Sequence, residues 1–415
     1  MKFKNIIQNL GANLLITLVG LVGSVILARW LGPNQRGVFA AIILIPTILQ
    51  YCVNFGLSSA TIYFTAQPDS NKNTIWCSLV LISLIQSIIG FLLGWMIVEL
   101  YLQKNFIGSI YLGHLYLLTV PFGLLGMYAT YMLQGTSHFK ITNFLKCIVP
   151  IGYCIGIIWL KFQQDMSIKN LVYVQLIIQF SYLIIAVFFL YKILLTHFLF
   201  KIEYNLIRQM LTYSVKIWFG DISQLVSSRI DQFLIGAFLS NRELGIYTVA
   251  ISVAGFTGIF ANAVRTIMLP SVTGKESFQE KIIETLKFFK KYWIFSIFFH
   301  AIFALSLPLV ILFVFGNIYS ESIIICQILV IGNFFVNAKT VLSGGVLGMG
   351  FPEILSYVEA IGMIISISLS FLLIRINGLT GISIAVSLAY FCQFIGLVIF
   401  TRKKGFSYKK MLYTY

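Results

Sequence analysis

In the stretch QLVSSRIDQFLIGAFL, residues 224–239, Arg229 and Asp231 stand two residues apart among apolar side chains. Arg265, Lys339 and Glu359 interrupt runs that are just as apolar, and Asp221 lies about two helical turns before the first pair. Cations in such a setting offer charge-assisted hydrogen bonds to an anion, and arginine presents a bidentate fork. Carboxylates there can set a conformation or hold a coupling ion such as Na⁺ or H⁺. Covalent chemistry is not expected, because neither an acid/base pair nor a phosphate-cradling glycine loop accompanies these residues.

What these charges mean depends on the medium around them. The 415 residues are 59% hydrophobic and 10% charged, against about 25% charged in soluble domains. Apolar stretches recur near 10–30, 38–65, 75–100, 110–134, 141–161, 168–194, 213–238, 244–271, 288–315, 320–348, 353–375 and 379–401. Each can cross a hydrocarbon core of roughly 30 Å. They are too long for barrel strands, so the expected fold is an all-α polytopic membrane protein with about twelve transmembrane helices and no soluble domain. The first run exceeds a signal-peptide core and no small-residue cleavage site follows it, so it is expected to stay in the chain.

Lysine and arginine set the orientation. With the N-terminus inside, the inner side collects Lys2, Lys4, Lys72, Lys140, Lys146, Lys192, Lys201, Arg208, Lys216, Lys275, Lys281, Lys287, Lys290, Lys291, Arg402, Lys403, Lys404, Lys409 and Lys410. The outer side holds only Arg29, Arg36, Lys104, Lys161, Lys169, Arg242 and Arg375. Both termini are therefore expected in the cytoplasm. The net charge of +16 is a topology signal with some attraction to anionic membrane lipids, and it calls for no nucleic-acid partner. The six cysteines all fall in apolar stretches and read as buried packing residues, with no metal or disulfide framework. The two longest connections, 195–212 and 272–287, are amphipathic. In KESFQEKIIETLKFFKKYW (275–293), which begins in the second, Ile282, Leu286, Phe289 and Trp293 recur at helical spacing, as in an interfacial helix or, alternatively, a docking site for a partner.

The chain echoes itself. LGPNQRGVFAA (31–41) answers to LSNRELGIYTVA (239–250), with Gly37 and Phe39 matching Gly245 and Tyr247 at a spacing of about 208. LQGTSHFK (133–140) answers more weakly to VLGMGFPE (346–353), with Gly135 opposite Gly348. A repeat of six helices returns to the same side of the membrane, so two parallel six-helix lobes, 1–200 and 201–415, are expected around a central cavity.

An intramembrane charge costs at least about 2.5–3.5 kcal/mol on the insertion scale, so these residues should face a cavity or one another. On the seventh helix Asp221, Gln224, Ser228, Asp231 and Gln232 fall in an arc of about 100°, with Arg229 about 60° beyond it. Two readings follow. In one, each charge pairs with a neighbouring helix and fixes packing; in the other, the cations attract an anionic ligand while Asp221, Asp231 and Glu359 couple or gate. Arg29, near the outer end of the first helix, fits the cationic set or simple snorkelling.

Three stretches resemble a known family. ILARWLGPNQRGVFAAIIL (26–44) is similar to the A-R-x-L-G-P-x-x-x-G-x-F/Y signature of polysaccharide-biosynthesis membrane proteins, the O-antigen-type oligosaccharide-lipid flippases of the multidrug/oligosaccharidyl-lipid/polysaccharide (MOP) exporter superfamily. YSVKIWFGDISQLVSSRIDQFLIGAFLSNRELGIYTVA (213–250) resembles that family's seventh helix, and LQGTSHFK its L-x-G-x-x-x-F-K element. The resemblance implies alternating access that carries a polyprenyl-diphosphate-linked oligosaccharide across a bacterial cytoplasmic (inner) membrane for O-antigen, lipopolysaccharide or capsule synthesis, with a glycan polymerase and chain-length regulator as partners. On that reading Arg29, Arg229, Arg265 and Lys339 would hold the pyrophosphate, and Asn54, Gln224, Asn262, Asn333 and Asn337 would meet sugars, without a cofactor. A multidrug antiporter of the same superfamily, or a membrane-embedded glycan polymerase or ligase, is the alternative.

Overall fold

A computed structural model of the protein describes residues 2–68, 70–105, 107–195 and 200–406. Lys409 and Lys410, counted above with the inner cations, lie outside them. The helices are α1 (Lys2–Asn54), α2 (Leu57–Ala66), α3 (Lys72–Asn105), α4 (Ile110–Tyr116), α5 (Thr119–Gly135), α6 (Phe139–Phe162) and α7 (Ile168–Leu194). They continue as α8 (Tyr204–Phe238), α9 (Asn241–Gly255), α10 (Gly258–Thr273), α11 (Phe278–Val310), α12 (Ser322–Gly348) and α13 (Pro352–Lys403). No strand occurs among the described residues.

Among the described residues, eight stretches are long and apolar enough to cross a membrane, and nine if the bent pair α9 and α10 counts as one span. Two of the eight, α1 and α13, are each broken into two helices, at Gly32 and at Asn377–Gly378. α8, kept below that hydropathy by its polar stripe, is 35 residues long, or about 52 Å at ~1.5 Å per residue. With these the chain reaches the expected count of about twelve passes.

The burial pattern is that of a chain bathed in hydrocarbon. On α11 the polar Ser296 and His300 are buried, whereas Leu305 is 79% exposed and Phe313, just beyond the helix, 77% exposed. Water would reverse that arrangement.

The contacts sort the chain into two compact units, one of residues 1–225 with 240–242, the other of 226–239 with 243–415. This division falls inside α8, whose two halves pack differently. In its first half, Trp218 Nε1 donates to the Cys52 carbonyl at 3.1 Å, Tyr213 stacks on Tyr63 at 4.6 Å, and the backbone at Ser214 lies against Gly56 so closely that a Cβ there would stand 2.6 Å from its oxygen. In its second half, Ser227 and Asp231 bond to partners on α13 and α9.

The repeats seen in the sequence are built from backbone conformation. Gly32 takes φ 68°, where only glycine is unstrained, and Pro33 begins the next helical segment with the fixed φ that suits a first turn. In LQGTSHFK, the His138 amide reaches back to Leu133 O at 3.0 Å around Ser137 at φ 65°. In VLGMGFPE, the Phe351 amide reaches Val346 O at 3.2 Å around Gly350 at φ 88°. Both are six-to-one helix ends that turn the chain directly into the next helix. The two matched glycines do matched work: Gly135 seats α5 against Ile62 on α2, and Gly348 seats α12 against Leu269 and Val272 on α10.

Segment 272–287 departs from the interfacial expectation. Ser277 caps α11 by accepting from the Glu280 amide at 3.1 Å, so the helix starts within this segment and runs on into the span. Ile282, Leu286 and Trp293 pack against the core of the second unit, in which Phe289 is fully enclosed. The apolar stripe therefore covers protein, not lipid headgroups.

Candidate functional site

Within the second unit, α8, α9, α12 and α13 enclose a cavity of about 240 Å³. Ser228, Arg229 and Asp231 reach it from α8, Asn333 from α12 and Tyr390 from α13; Ile251, Leu329 and Val386 supply apolar wall. The backbone of Ala254 and Gly255, at the end of α9, closes one side, and nothing lies within 4 Å of where a Gly255 side chain would begin.

Asp231 is buried, and each of its oxygens accepts a hydrogen bond. Oδ2 accepts from the Tyr247 hydroxyl at 2.7 Å and Oδ1 from the Gln232 amide at 2.7 Å. Tyr247, the aromatic of the Gly-x-Tyr motif, is completely enclosed. Asn333 is held by donating to Ala254 O at 2.8 Å.

A second group of charges sits deeper. Lys339 Nζ lies 2.5 Å from Glu359 Oε1 and 2.8 Å from Gln393 Oε1. Gln393 Nε2 donates to Glu359 Oε2 and to Ser227 Oγ, each at 3.2 Å. The lysine and glutamate side chains are only 8% and 14% exposed, so each neutralises the other in a place where either alone would be costly. Arg265, half-buried on α10, interacts electrostatically with both. Tyr390 lies in the field of Arg229, Asp231 and Glu359 and so stands between cavity and ion pair. Of these five charged side chains, Arg229, Arg265 and Lys339 are cations and Asp231 and Glu359 are carboxylates.

The remaining expected residues are dispersed. Arg29 is exposed near the end of the first part of α1; Asp221 and Gln224 are exposed on the first half of α8, and Asn262 on α10. Asn54 is buried in the first unit, where the Tyr128 hydroxyl lies 3.0 Å from its Oδ1 and 2.7 Å from Gln86 Oε1. Asn337 is buried between Thr257 and His300. The structure thus brings Arg229, Asp231 and Asn333 to one cavity and Lys339 and Glu359 to one ion pair. Sequence reasoning passed over Ser227, Tyr390 and Gln393. A lone glutamine inside the apolar run 379–401 was the available signal. Among the described residues, no cluster of three His, Cys, Asp or Glu side chains could hold a metal ion.

The sequence profile described as polysaccharide biosynthesis protein matches residues 26–324. The chain belongs to that family. A curated relative of this polysaccharide biosynthesis protein, an uncharacterized membrane protein of Methanocaldococcus jannaschii, is 26% identical over 196 residues, 46% of this chain. The match spans 45% of that relative's length. Among solved structures, the lipid II flippase MurJ in an inward closed conformation superposes with a TM-score of 0.81 at 17% identity, covering 97% of this chain and 88% of that one. An inward-facing multidrug resistance MATE family transporter of the MOP superfamily superposes with a TM-score of 0.75 at 12% identity, covering 94% of each chain. At these identities the likeness establishes the fold alone: the chain is a multi-pass membrane protein that shares the all-helical fold of those two structures.

Proposed function

We propose that the protein is a flippase that moves a polyprenyl-diphosphate-linked oligosaccharide between the leaflets of the cytoplasmic membrane, for surface polysaccharide of the O-antigen or capsule type. The observation that carries this reading is the cavity of the second unit, where Arg229 meets Asn333, Ser228 and Tyr390. An anionic headgroup is the ligand such a wall favours, and the arginine fork suits diphosphate oxygens. About 240 Å³ lies below the usual range of roughly 300–1,000 Å³ for drug-sized ligands, so the cavity takes a headgroup and leaves the rest of the glycan outside it. The family assignment and the fold shared with a lipid II flippase support the same reading. The protein acts as a carrier and makes no bond in the glycan; coupling to Na⁺ or H⁺ through the membrane carboxylates, cytoplasmic termini, and work beside a polymerase and a chain-length regulator belong to this proposal.

The MATE-like fold keeps the multidrug antiporter as the rival. The test is reconstitution of the full chain in vesicles with lipid-linked oligosaccharide in one leaflet, reading arrival in the other per folded molecule. Delivery that fails in Arg229→Ala is the expected result. Movement of lipophilic organic cations with no oligosaccharide delivery would overturn the assignment.

A further inference from the structure

The cavity wall at Ala254 and Gly255 is also the break between α9 and α10, and a line of side chains runs from it into the unit. Ala254 O accepts from Asn333 Nδ2 at 2.8 Å and from Thr257 Oγ1 at 2.9 Å. Asn337 Nδ2 donates to Thr257 Oγ1 at 3.0 Å and stands 3.3 Å from His300 Nε2. His300 Nδ1 lies 2.8 Å from the Ser296 carbonyl oxygen. A carbonyl only accepts, so Nδ1 carries the ring hydrogen, and Nε2 is left bare to accept from Asn337. This network admits only the neutral imidazole.

A proton on Nε2 reverses its polarity. Two donors would then face each other, and the Asn337 amide has to turn its oxygen toward the ring. The turned oxygen also faces Thr257, whose hydroxyl hydrogen swings to it and leaves Ala254 O. The Thr257 side-chain hydrogen bond to Ala254 O is then lost, at the wall of the cavity.

The first unit shows the same construction without the titratable group. Its second helix is broken at Phe55–Gly56, where the second unit is broken at Phe256–Thr257. Gln86 Nε2 donates to Asn54 O at 3.3 Å, and Tyr128 bonds to Gln86. The partners come from α1, α3 and α5 there, and from the α9–α10 break, α11 and α12 here, which are the corresponding helices of the repeat. Gln86 on α3 and His300 on α11 each bond to a side chain of the helix that packs beside the break, Tyr128 in the first unit and Asn337 in the second.

The hydrogen-bond and ring partners of His300 are Ser296, Asn337, Phe299 and Phe334, none of them charged. The titratable groups on the elements packed against α11 are Arg265 on α10, Cys326 and Lys339 on α12, and Glu353, Tyr357, Glu359, Arg375, Tyr390, Cys392, Arg402 and Lys403 on α13, besides Tyr292 and the Lys and Glu residues of α11's own first turns. Lys339 and Glu359 are engaged with each other, and Tyr390 lines the cavity.

We propose that His300 is a proton-binding site whose charge state is passed through Asn337 and Thr257 to the α9–α10 break. In the flippase reading, on which this consequence rests, the proton sets the shape of the cavity beside Arg229 and so its readiness for an anionic headgroup. The relay itself is tested without any ligand. Backbone hydrogen exchange over residues 254–260 is followed in the purified full chain between about pH 8 and about pH 5, a range that brackets an ordinary imidazole, with rates corrected for intrinsic exchange. Protection should fall by about fivefold at the acid end, the equivalent of one hydrogen bond. His300→Gln, which copies the amide at Gln86, should keep the high-pH protection and lose the step. Thr257→Val should lose the step while His300 still titrates. An acid step of the same size in His300→Gln, or a flat profile in the parent protein, would overturn the relay. Neither outcome bears on whether the cavity takes a diphosphate, which the delivery experiment decides separately.

Discussion

Tyr247 donates its hydroxyl hydrogen to Asp231 Oδ2 at 2.7 Å, which fastens the Gly-x-Tyr motif of α9 to the helix before it. The acid in the apolar run of α8 thus has a local partner sixteen residues on, and it stays buried because tyrosine and the Gln232 amide replace water around it.

Removing that hydroxyl should therefore be costly out of proportion to its size. Tyr247→Phe leaves a buried carboxylate oxygen without its donor and should destabilise the protein by about 1–3 kcal/mol. Pairing it with Asp231→Leu should recover much of the loss, because both polar partners are then gone. Thermal unfolding in detergent measures this, and a Tyr247→Phe protein as stable as its parent would show that the bond contributes nothing.

Lys339 and Glu359 should behave as a unit. Lys339→Met or Glu359→Gln alone strands or unbalances a buried charge and should lower the abundance of folded protein, by about 3–5 kcal/mol where a full charge is left unpaired. The double variant should restore most of it. If Lys339→Met folds normally and only delivery suffers, the lysine serves the ligand rather than the fold.

Arg229 separates charge from geometry. Arg229→Lys should keep part of the delivery per folded molecule and Arg229→Ala almost none, since lysine retains the charge but not the fork. Full delivery by Arg229→Ala would remove this arginine from the site.

Orientation is tested by reporters placed in the short connections. One at 272–287 should read cytoplasmic and one at 240–243 external, as the lysine-rich inner side requires. An external signal from 272–287 would invert the second unit.

Helix count and repeat were legible because each depends on local demands. A run of about twenty apolar residues has one use, and L-G-P, LQGTSHFK and VLGMGFPE encode backbone turns that need only their own residues. The pairing of Lys339 with Glu359 was not legible. The two lie on different helices, and a helical wheel fixes which way a charge points on its own helix, not what stands opposite. The same limit applies to amides. Asn54 and Asn333 look alike in an apolar run, yet one is enclosed between Gln86 and Tyr128 and the other borders a cavity. His300 gave no pattern at all, since its meaning lies in the tautomer that Ser296 O imposes.

The Lys339–Glu359 bond also bears on how the chain is made. A ribosome delivers α12 before α13, so Lys339 reaches the translocon while its counter-ion is still being synthesised. Released alone into lipid, the lysine would cost about 2.5–3.5 kcal/mol at the bilayer centre. The partners are only twenty positions apart, so the wait is short. Insertion of α12 is therefore expected to be held until the first part of α13 has emerged, so that the two helices leave the channel as a hairpin with its charges already cancelled.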